Sequence, residues 1–324
     1  MSIVVTGGAG YIGAHVVRLL QRQGHEVIVI DDLSYGDASR VGQAELIQLD
    51  LADTAELPRL QAALDGATAV VHIAGRKQVG ESVDKPAWYY QQNVGGMANL
   101  LLAMEAQGVD RLVFSSSAAV YGQPSVDRVR EDIDLKPINP YGESKLIGEW
   151  LVRDAARAWG LRGVNLRYFN VAGAGWDDLG DPAVLNLIPM VLQKLYDRRR
   201  PAVFGDDYPT PDGTCLRDYI HVVDIATAHM IAMDYLDRDE RPFDAFNIGT
   251  GAGTSVRQVI EMVSQVSGLD TTPVIEPRRP GDPAVLIGDV DHIEQTFEWK
   301  ARHDLRSIVD SSWRAWQAGP KRIA

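Results

Sequence analysis

Thr6-Gly7-Gly8-Ala9-Gly10-Tyr11-Ile12-Gly13, entered from the apolar run Ile3-Val4-Val5 and leaving into a helical stretch over residues 12–22, decides the fold. A glycine turn between a strand and a helix lets a pyrophosphate approach the backbone and meet the unpaired amides of the helix N-terminus. Gly7 and Gly10 permit that approach, and Gly13 lets the helix pack on the strand. Tyr11 and Ile12 open the helix inside the same binding stretch. Glycine turns also occur without function, so the context matters: a second apolar run at 27–31 ends on Asp31, with Asp32 next to it. A carboxylate there hydrogen-bonds a ribose hydroxyl and repels a 2′-phosphate, which points to NAD rather than NADP.

Outward from this stretch, short β-branched runs alternate with helical stretches: strands over 3–6, 27–31, 70–73 and 112–115, helices over 12–22 and 91–106. Such alternation predicts βαβ units and a parallel sheet. Pro140 predicts a helix start near Tyr141, running to about residue 159, with a strand over 163–168. The fold class is therefore α/β, a Rossmann-like doubly wound parallel sheet with a smaller mixed α/β substrate domain. After Asn170 the texture turns to Gly, Pro and Asp, around a helix over 187–196 and before an amphipathic helix over 255–267. The expected NAD-binding domain covers 1–172, with segments at about 215–226 and 244–252 returning to it. The second domain takes 173–214 and 253–324. Strands at 219–223 and 246–248 are expected to rejoin the first sheet.

The chain has 324 residues with 45% hydrophobic and 23% charged, which is ordinary globular composition. Met1 leads directly into an apolar strand and no apolar run reaches spanning length, so a cytoplasmic protein is expected. A formal charge of −12 disfavours nucleic acid and anionic membranes as partners, because both are held through Lys and Arg. Any phosphorylated ligand must be caught by a local positive site. The lone Cys215 has no partner for a disulfide or thiolate cluster. His72 and His221 lack ligand spacing and read as structural, so no metal is expected.

In Asn139-Pro140-Tyr141-Gly142-Glu143-Ser144-Lys145, helical spacing stacks a phenol and an ammonium on one face. At roughly 6 Å and an effective dielectric of ~20 the ammonium favours the phenolate by roughly 3 kcal/mol, lowering a pKa of ~10 by about two units. That makes Tyr141 a general base near working pH. A bare Tyr-x-x-x-Lys match more often means a packed tyrosine and a solvated lysine, so the pair gains weight only from its company.

That company is the glycine loop, Ser115-Ser116-Ser117-Ala118-Ala119-Val120-Tyr121-Gly122 and Arg167-Tyr168-Phe169-Asn170. Together these motifs resemble the extended short-chain dehydrogenase/reductase family. The likeness extends to Ala74-Gly75-Arg76-Lys77-Gln78-Val79-Gly80-Glu81-Ser82, Arg217-Asp218-Tyr219-Ile220-His221-Val222 and Arg278-Arg279-Pro280-Gly281-Asp282, nearly the full length. It falls closest to the branch of isomerases that invert C4 of UDP-hexoses through a 4-keto sugar and a retained NAD. The resemblance implies that Tyr141 takes the 4-hydroxyl proton, Ser117 holds the same oxygen, and Lys145 holds the ribose and depresses the phenol pKa. It implies cofactor contacts at Asp50 and Leu51 beside the adenine, at Lys77, Asn93 and Ser115, and at Tyr168 and Phe169 around the nicotinamide. It implies a UDP cradle of Asn170, Asn186, Leu187, Phe204, Arg217, Tyr219, Arg279 and Asp282. Relatives pair through helices matching about 91–106 and 141–159, so a homodimer is expected.

The resemblance also weighs the alternatives. Dehydratase relatives carry an Asp-Glu pair where this chain has Ala118-Ala119, and alanine cannot transfer a proton. Ala119 counts against the decarboxylating relatives too, and Asp31 against an NADPH-consuming synthase. A non-catalytic dinucleotide sensor on the same fold would have no use for the Tyr-Lys pair, Ser117 or the arginines. UDP-glucose and UDP-galactose are the expected substrates. N-acetylhexosamine, pentose and uronate nucleotides stay open, with Leu286, four residues after Asp282, as the side chain bearing on the N-acetyl group.

Overall fold

The computed structural model describes residues 2–238, 243–279 and 281–319. In chain order the first elements are β1 (Ser2–Thr6), α1 (Tyr11–Arg22), β2 (Glu26–Asp31), β3 (Glu45–Gln48), α2 (Leu57–Leu64), β4 (Ala67–His72), α3 (Val79–Asp84) and α4 (Pro86–Tyr89). A π-helical turn over Tyr90–Gly95 leads into α5 (Gly96–Gln107). Then come β5 (Arg111–Ser117), α6 (Pro140–Trp159), β6 (Arg162–Tyr168), β7 (Asn170–Ala172), α7 (Leu187–Tyr196), β8 (Ala202–Phe204), β9 (Leu216–His221) and α8 (Val222–Leu236). The last are β10 (Phe243–Ile248), β11 (Gly253–Ser255), α9 (Val256–Ser267), β12 (Val274–Glu276), β13 (Val285–Leu286), α10 (Asp291–Phe297) and α11 (Leu305–Ala318).

Two compact units emerge, one of Met1–Gly122, Asp134–Tyr168 and Ala226–Phe246, the other of Gln123–Ile133, Phe169–Ile225 and Asn247–Ala324. The first is built on a seven-stranded sheet in the order β10-β6-β5-β4-β1-β2-β3. The ladders β1–β2, β1–β4, β2–β3, β4–β5 and β5–β6 are all parallel. Chain order reverses at β1, so the carboxyl ends of β1 and β4 flank the switch-point crevice where nucleotides bind in such sheets. Val4, Ile30, Val70 and Leu112 of four adjacent strands pack against Leu100, Met104 and Leu64 from the helices. These strands read as continuous apolar runs because both faces are covered.

Helix α1 lies against its own strand because Gly13 has no side chain: a Cβ there would stand 2.0 Å from the Gly7 carbonyl oxygen. The second unit gathers β7, β9, β11 and β13 into a four-stranded sheet and β8 with β12 into a two-stranded one. Its core joins Ile188, Val191 and Leu192 of α7 to Val259, Ile260 and Val263 of α9 and Ile308 and Val309 of α11. Helix α9 begins where Ser255 and Gln258 form a reciprocal capping box. Among the described residues no helix is long and apolar enough to cross a membrane.

The expected return of two strands to the first sheet needs correction. Phe243–Ile248 does join it, but Leu216–His221 is the central strand of the four-stranded sheet. What returns after it is helix α8, from Ala226 onward. Residues 222 and 223, expected to end the strand, begin that helix.

Replacing Gly13 by Val forces a backbone clash, and the expected cost is about 3 kcal/mol. Gly24→Ala is the control: Gly24 has φ +85° with open space where a Cβ would go, so only conformational strain of about 1 kcal/mol is expected. Urea unfolding of the two variants measures the difference.

Candidate active site

Helix α6 starts cleanly: Pro140 occupies its first turn and the Asn139 side chain accepts a hydrogen bond from the Gly142 amide at 2.9 Å. Its first turn presses on the turn Ala118–Tyr121 that follows β5, where a Cβ on Gly142 would lie 2.6 Å from the Ala119 carbonyl oxygen. Ser117 caps that turn by accepting from the Ala119 amide at 3.2 Å, and its hydroxyl also hydrogen-bonds the Tyr141 phenol. Close approach of two backbones thus brings Tyr141 and Ser117 together.

One helical turn on, the Lys145 ammonium is buried, with 6% of the residue exposed. It donates to the Ser115 carbonyl at 2.8 Å and lies 5.0 Å from the centre of the Phe114 ring. Burial pulls its pKa down to about 8, and the negative charge of Glu149 resists the fall. Glu149, a further turn along α6, is itself buried and fixed by Arg167 at 2.9 and 2.6 Å and by the Ser116 hydroxyl at 2.5 Å. A forked arginine on a carboxylate sets both planes, so α6 is keyed to β5 and β6. His72 completes the surroundings as a neutral ring. Its Nδ1 meets the Thr6 hydroxyl at 2.7 Å, and burial together with repulsion from Lys145 takes its pKa down to about 3.

Helical spacing alone implied that Lys145 would draw the Tyr141 proton off. The structure corrects this: the phenol pKa stands above its ordinary value, raised by burial and opposed by the Ser117 hydrogen bond. Taking a phenolate out of water outweighs what the hydroxyl returns, and the Lys145 ammonium is turned to the Ser115 carbonyl instead. Tyr168 is shifted up as well, by burial and then by the Tyr141 charge, with a Ser115 hydrogen bond working against them.

The glycine loop fits a dinucleotide pyrophosphate. No side chain caps the N-terminus of α1 and no acidic residue occupies its first turn, so its amides face outward with their partial positive charge. Gly7 takes φ +72°, and a Cβ on it would meet the Ala74 amide at 2.6 Å. Tyr11 and Gly13 are buried, Ile12 partly so, and Gly10 is the residue before the helix. Asp31 accepts from the Ala9 amide at 3.0 Å and the Leu33 amide at 2.9 Å, its pKa raised mainly by burial. Asp32 is held by Ser34 at 2.9 and 2.6 Å. Asp50 accepts from the Ala52 amide at 2.9 Å, and the buried Leu51 offers its carbonyl to Asn99 at 2.8 Å. Asn93, inside the π-helical turn, accepts from the Arg76 amide at 2.7 Å and donates to Ser144 at 2.9 Å. It ties the loop after β4 to α6. Lys77 is exposed, and the Ser115 hydroxyl is bonded to His229 at 2.8 Å.

In the second unit the expected cradle residues fall on several elements. Asn186 precedes α7 and donates to Asp181 at 2.6 Å, and Leu187 is the first residue of the helix. Arg217, on β9, is ion-paired to Asp282, and Leu286 sits across from it on β13. Arg279 lies 3.9 Å over the Phe204 ring. Asn170 hydrogen-bonds the buried Tyr219 phenol. Phe169 packs with its ring edge near Gly288. Spacing could have found Glu149, four residues beyond Lys145. Arg167 stood inside a quoted motif, but its role needed the fold. The ring-lined setting of Arg76 had no local signal at all.

A model of the NAD-dependent epimerase/dehydratase family matches residues 3–249. A UDP-glucose 4-epimerase of Corynebacterium glutamicum is 43% identical over 318 residues, 97% of this chain and 95% of the relative. The crystal structure of the Stenotrophomonas maltophila UDP-glucose-4-epimerase with bound NAD and formylated UDP-arabinopyranose is 41% identical. It superposes with a TM-score of 0.92 over 98% of each chain. The Bifidobacterium longum UDP-glucose 4-epimerase, in complex with NAD+ and UDP, is 37% identical with a TM-score of 0.92 over 100% of each chain.

Glu149→Gln leaves the buried Arg167 charge uncompensated and is expected to cost about 3–5 kcal/mol in urea unfolding. Removal of the exposed Arg59–Glu56 pair by Arg59→Ala should cost less than about 1 kcal/mol. In the dinucleotide-free protein, carbon-13 NMR of labelled lysine should show Lys145 losing its charge as pH rises through about 8. Because this folded pKa lies below the unfolded value, stability gained from Lys145 appears as pH climbs from about 8 towards 10.5.

Proposed function

The chain belongs to the NAD-dependent epimerase/dehydratase family, and we propose from its site that it interconverts UDP-galactose and UDP-glucose by inverting C4 through a 4-keto sugar. It is an isomerase whose cofactor is NAD. The observation that carries the reading is the Tyr141 phenol hydrogen-bonded to Ser117 one helical turn from a buried Lys145. The bound dinucleotide supplies the reversible two-electron oxidation at C4.

The chain's own groups handle the proton. Tyr141 receives the 4-hydroxyl proton at its phenolic oxygen and later returns it, and Ser117 donates to the same oxygen to steady the charge. A phenol lifted by burial is a strong base once ionised, and a cation brought next to it is what lowers the cost of ionisation. Lys145, held by the Ser115 carbonyl, is assigned to a ribose. One base suffices because the second half-reaction restores what the first removed. Gly7, Gly10 and the α1 amides hold the pyrophosphate, Asp31 and Asp32 the ribose, and Asp50 and Leu51 the adenine. Lys77, Asn93, Ser115, Tyr168 and Phe169 line the rest of the dinucleotide.

Apart from Phe169, the residues assigned to NAD belong to the first unit, and those assigned to the UDP group belong to the second. The uncapped N-terminus of α7 at Asn186 and Leu187 suits a diphosphate. Arg217 and Arg279 supply the local positive charge that a chain of net charge −12 otherwise lacks. Asn170, Phe204, Tyr219 and Asp282 complete the cradle. The proposed assembly is a cytoplasmic homodimer through α5 and α6, whose exposed Leu102 and Trp150 offer apolar contacts.

Purified protein given UDP-galactose and no added NAD should yield UDP-glucose on chromatography. Tyr141→Phe should lower kcat by about 10²–10⁴-fold while UDP-sugar affinity stays near that of the parent. Unreduced turnover in that variant moves the base elsewhere.

A further inference from the structure

Arg76 leaves the carboxyl end of β4 and crosses to the carboxyl end of β2. Its guanidinium reaches the Asp32 carboxylate at 2.6 Å, the Ser34 hydroxyl, and the Gln92 side-chain oxygen at 3.0 and 2.6 Å. It lies 5.6 Å from the Tyr35 ring centre and 5.1 Å from that of Trp88. Only 12% of the side chain is exposed. Its backbone is pinned as well, the amide donating to Asn93 at 2.7 Å and the carbonyl accepting from Asn93 at 3.0 Å.

The sheet order makes this placement informative. β4 and β2 are the two neighbours of β1, and all three run parallel. Adjacent strands lie about 4.8 Å apart, so β4 and β2 are roughly 10 Å apart with β1 between them, and Arg76 joins their carboxyl ends. A side chain whose only task was to stabilise the β4 loop had no need to cross a neighbouring strand. The crossing joins the carboxyl ends of β4 and β2, the two strands that flank β1, from which the glycine loop leaves. Arg76 also pairs with one of the two adjacent carboxylates assigned to the ribose, fixing Asp32 in place.

We propose that Arg76 is a positioning residue that straps the adenosine and pyrophosphate half of the dinucleotide into the crevice and slows its release. This rests on the NAD reading given above. The strap loses its grip when the guanidinium is removed. Charge-assisted bonds of this kind make a release rate about ten- to a hundredfold faster the expected result for Arg76→Met.

The test uses the purified, NAD-loaded protein diluted into an NAD-consuming glycohydrolase, with bound dinucleotide followed by acid extraction and chromatography. Arg76→Met should release NAD at least about tenfold faster than the parent, and Arg76→Lys should fall between them. Excess NAD should restore the kcat of Arg76→Met to within about twofold, and its affinity for UDP should match the parent, which a general loss of structure would not allow. A release rate equal to the parent's, or turnover that excess NAD fails to restore, overturns the strap. If Arg76→Met does not fold, Gln92→Ala removes the second acceptor that holds the guanidinium in place, and an unchanged release rate in that variant overturns it equally. A parent protein that holds no dinucleotide contradicts the NAD reading itself, a different outcome from unchanged release.

Discussion

A lysine ammonium buried against the end of a parallel sheet is the constraint from which the rest of the first unit follows. Lys145 needs partners because an isolated buried charge is costly. It finds the Ser115 carbonyl, the Phe114 ring and, along its own helix, Glu149. Glu149 in turn needs Arg167, which also donates to the Tyr121 hydroxyl at 3.0 Å. Each link fixes the next. The outcome is a helix α6 whose rotation and depth are set, and with them the position of Tyr141 beside Ser117.

The same burial explains why the phenol does not ionise readily in the dinucleotide-free protein. Desolvation acts on Tyr141, Tyr168 and Tyr219 alike, raising all three. Only Tyr141 has both a hydroxyl donor at its oxygen and an ammonium on its own helical face. With Tyr141 as the proposed base, a cation in the crevice is what would lower the cost of its ionisation, and an oxidised nicotinamide is such a cation.

Much of this was legible in the sequence where the signal is local. Gly7 to Gly13 after an apolar strand, Pro140 before Tyr141, and the four-residue step to Lys145 each depend on neighbours in the chain. Their structure follows the spacing closely, α7 spanning Leu187–Tyr196 as expected. Sheet membership is not local: β9 is buried along nearly its whole length, as the strands of the first sheet are, so its place in the four-stranded sheet is fixed by pairing with β7, β11 and β13. The sign of the Tyr141 shift was likewise hidden, since spacing shows the ammonium but not the depth of burial. Arg76 depends on three strands being side by side, which no window of sequence displays.

Occupancy of the crevice by oxidised dinucleotide is proposed to lower the Tyr141 pKa. Phenolate absorbance measured as a difference between the parent and Tyr141→Phe, across pH and with and without bound NAD, tests it directly. Ionisation is expected above the ordinary tyrosine value in the free protein and clearly lower in the loaded one. Coincident titration curves in the two states contradict it.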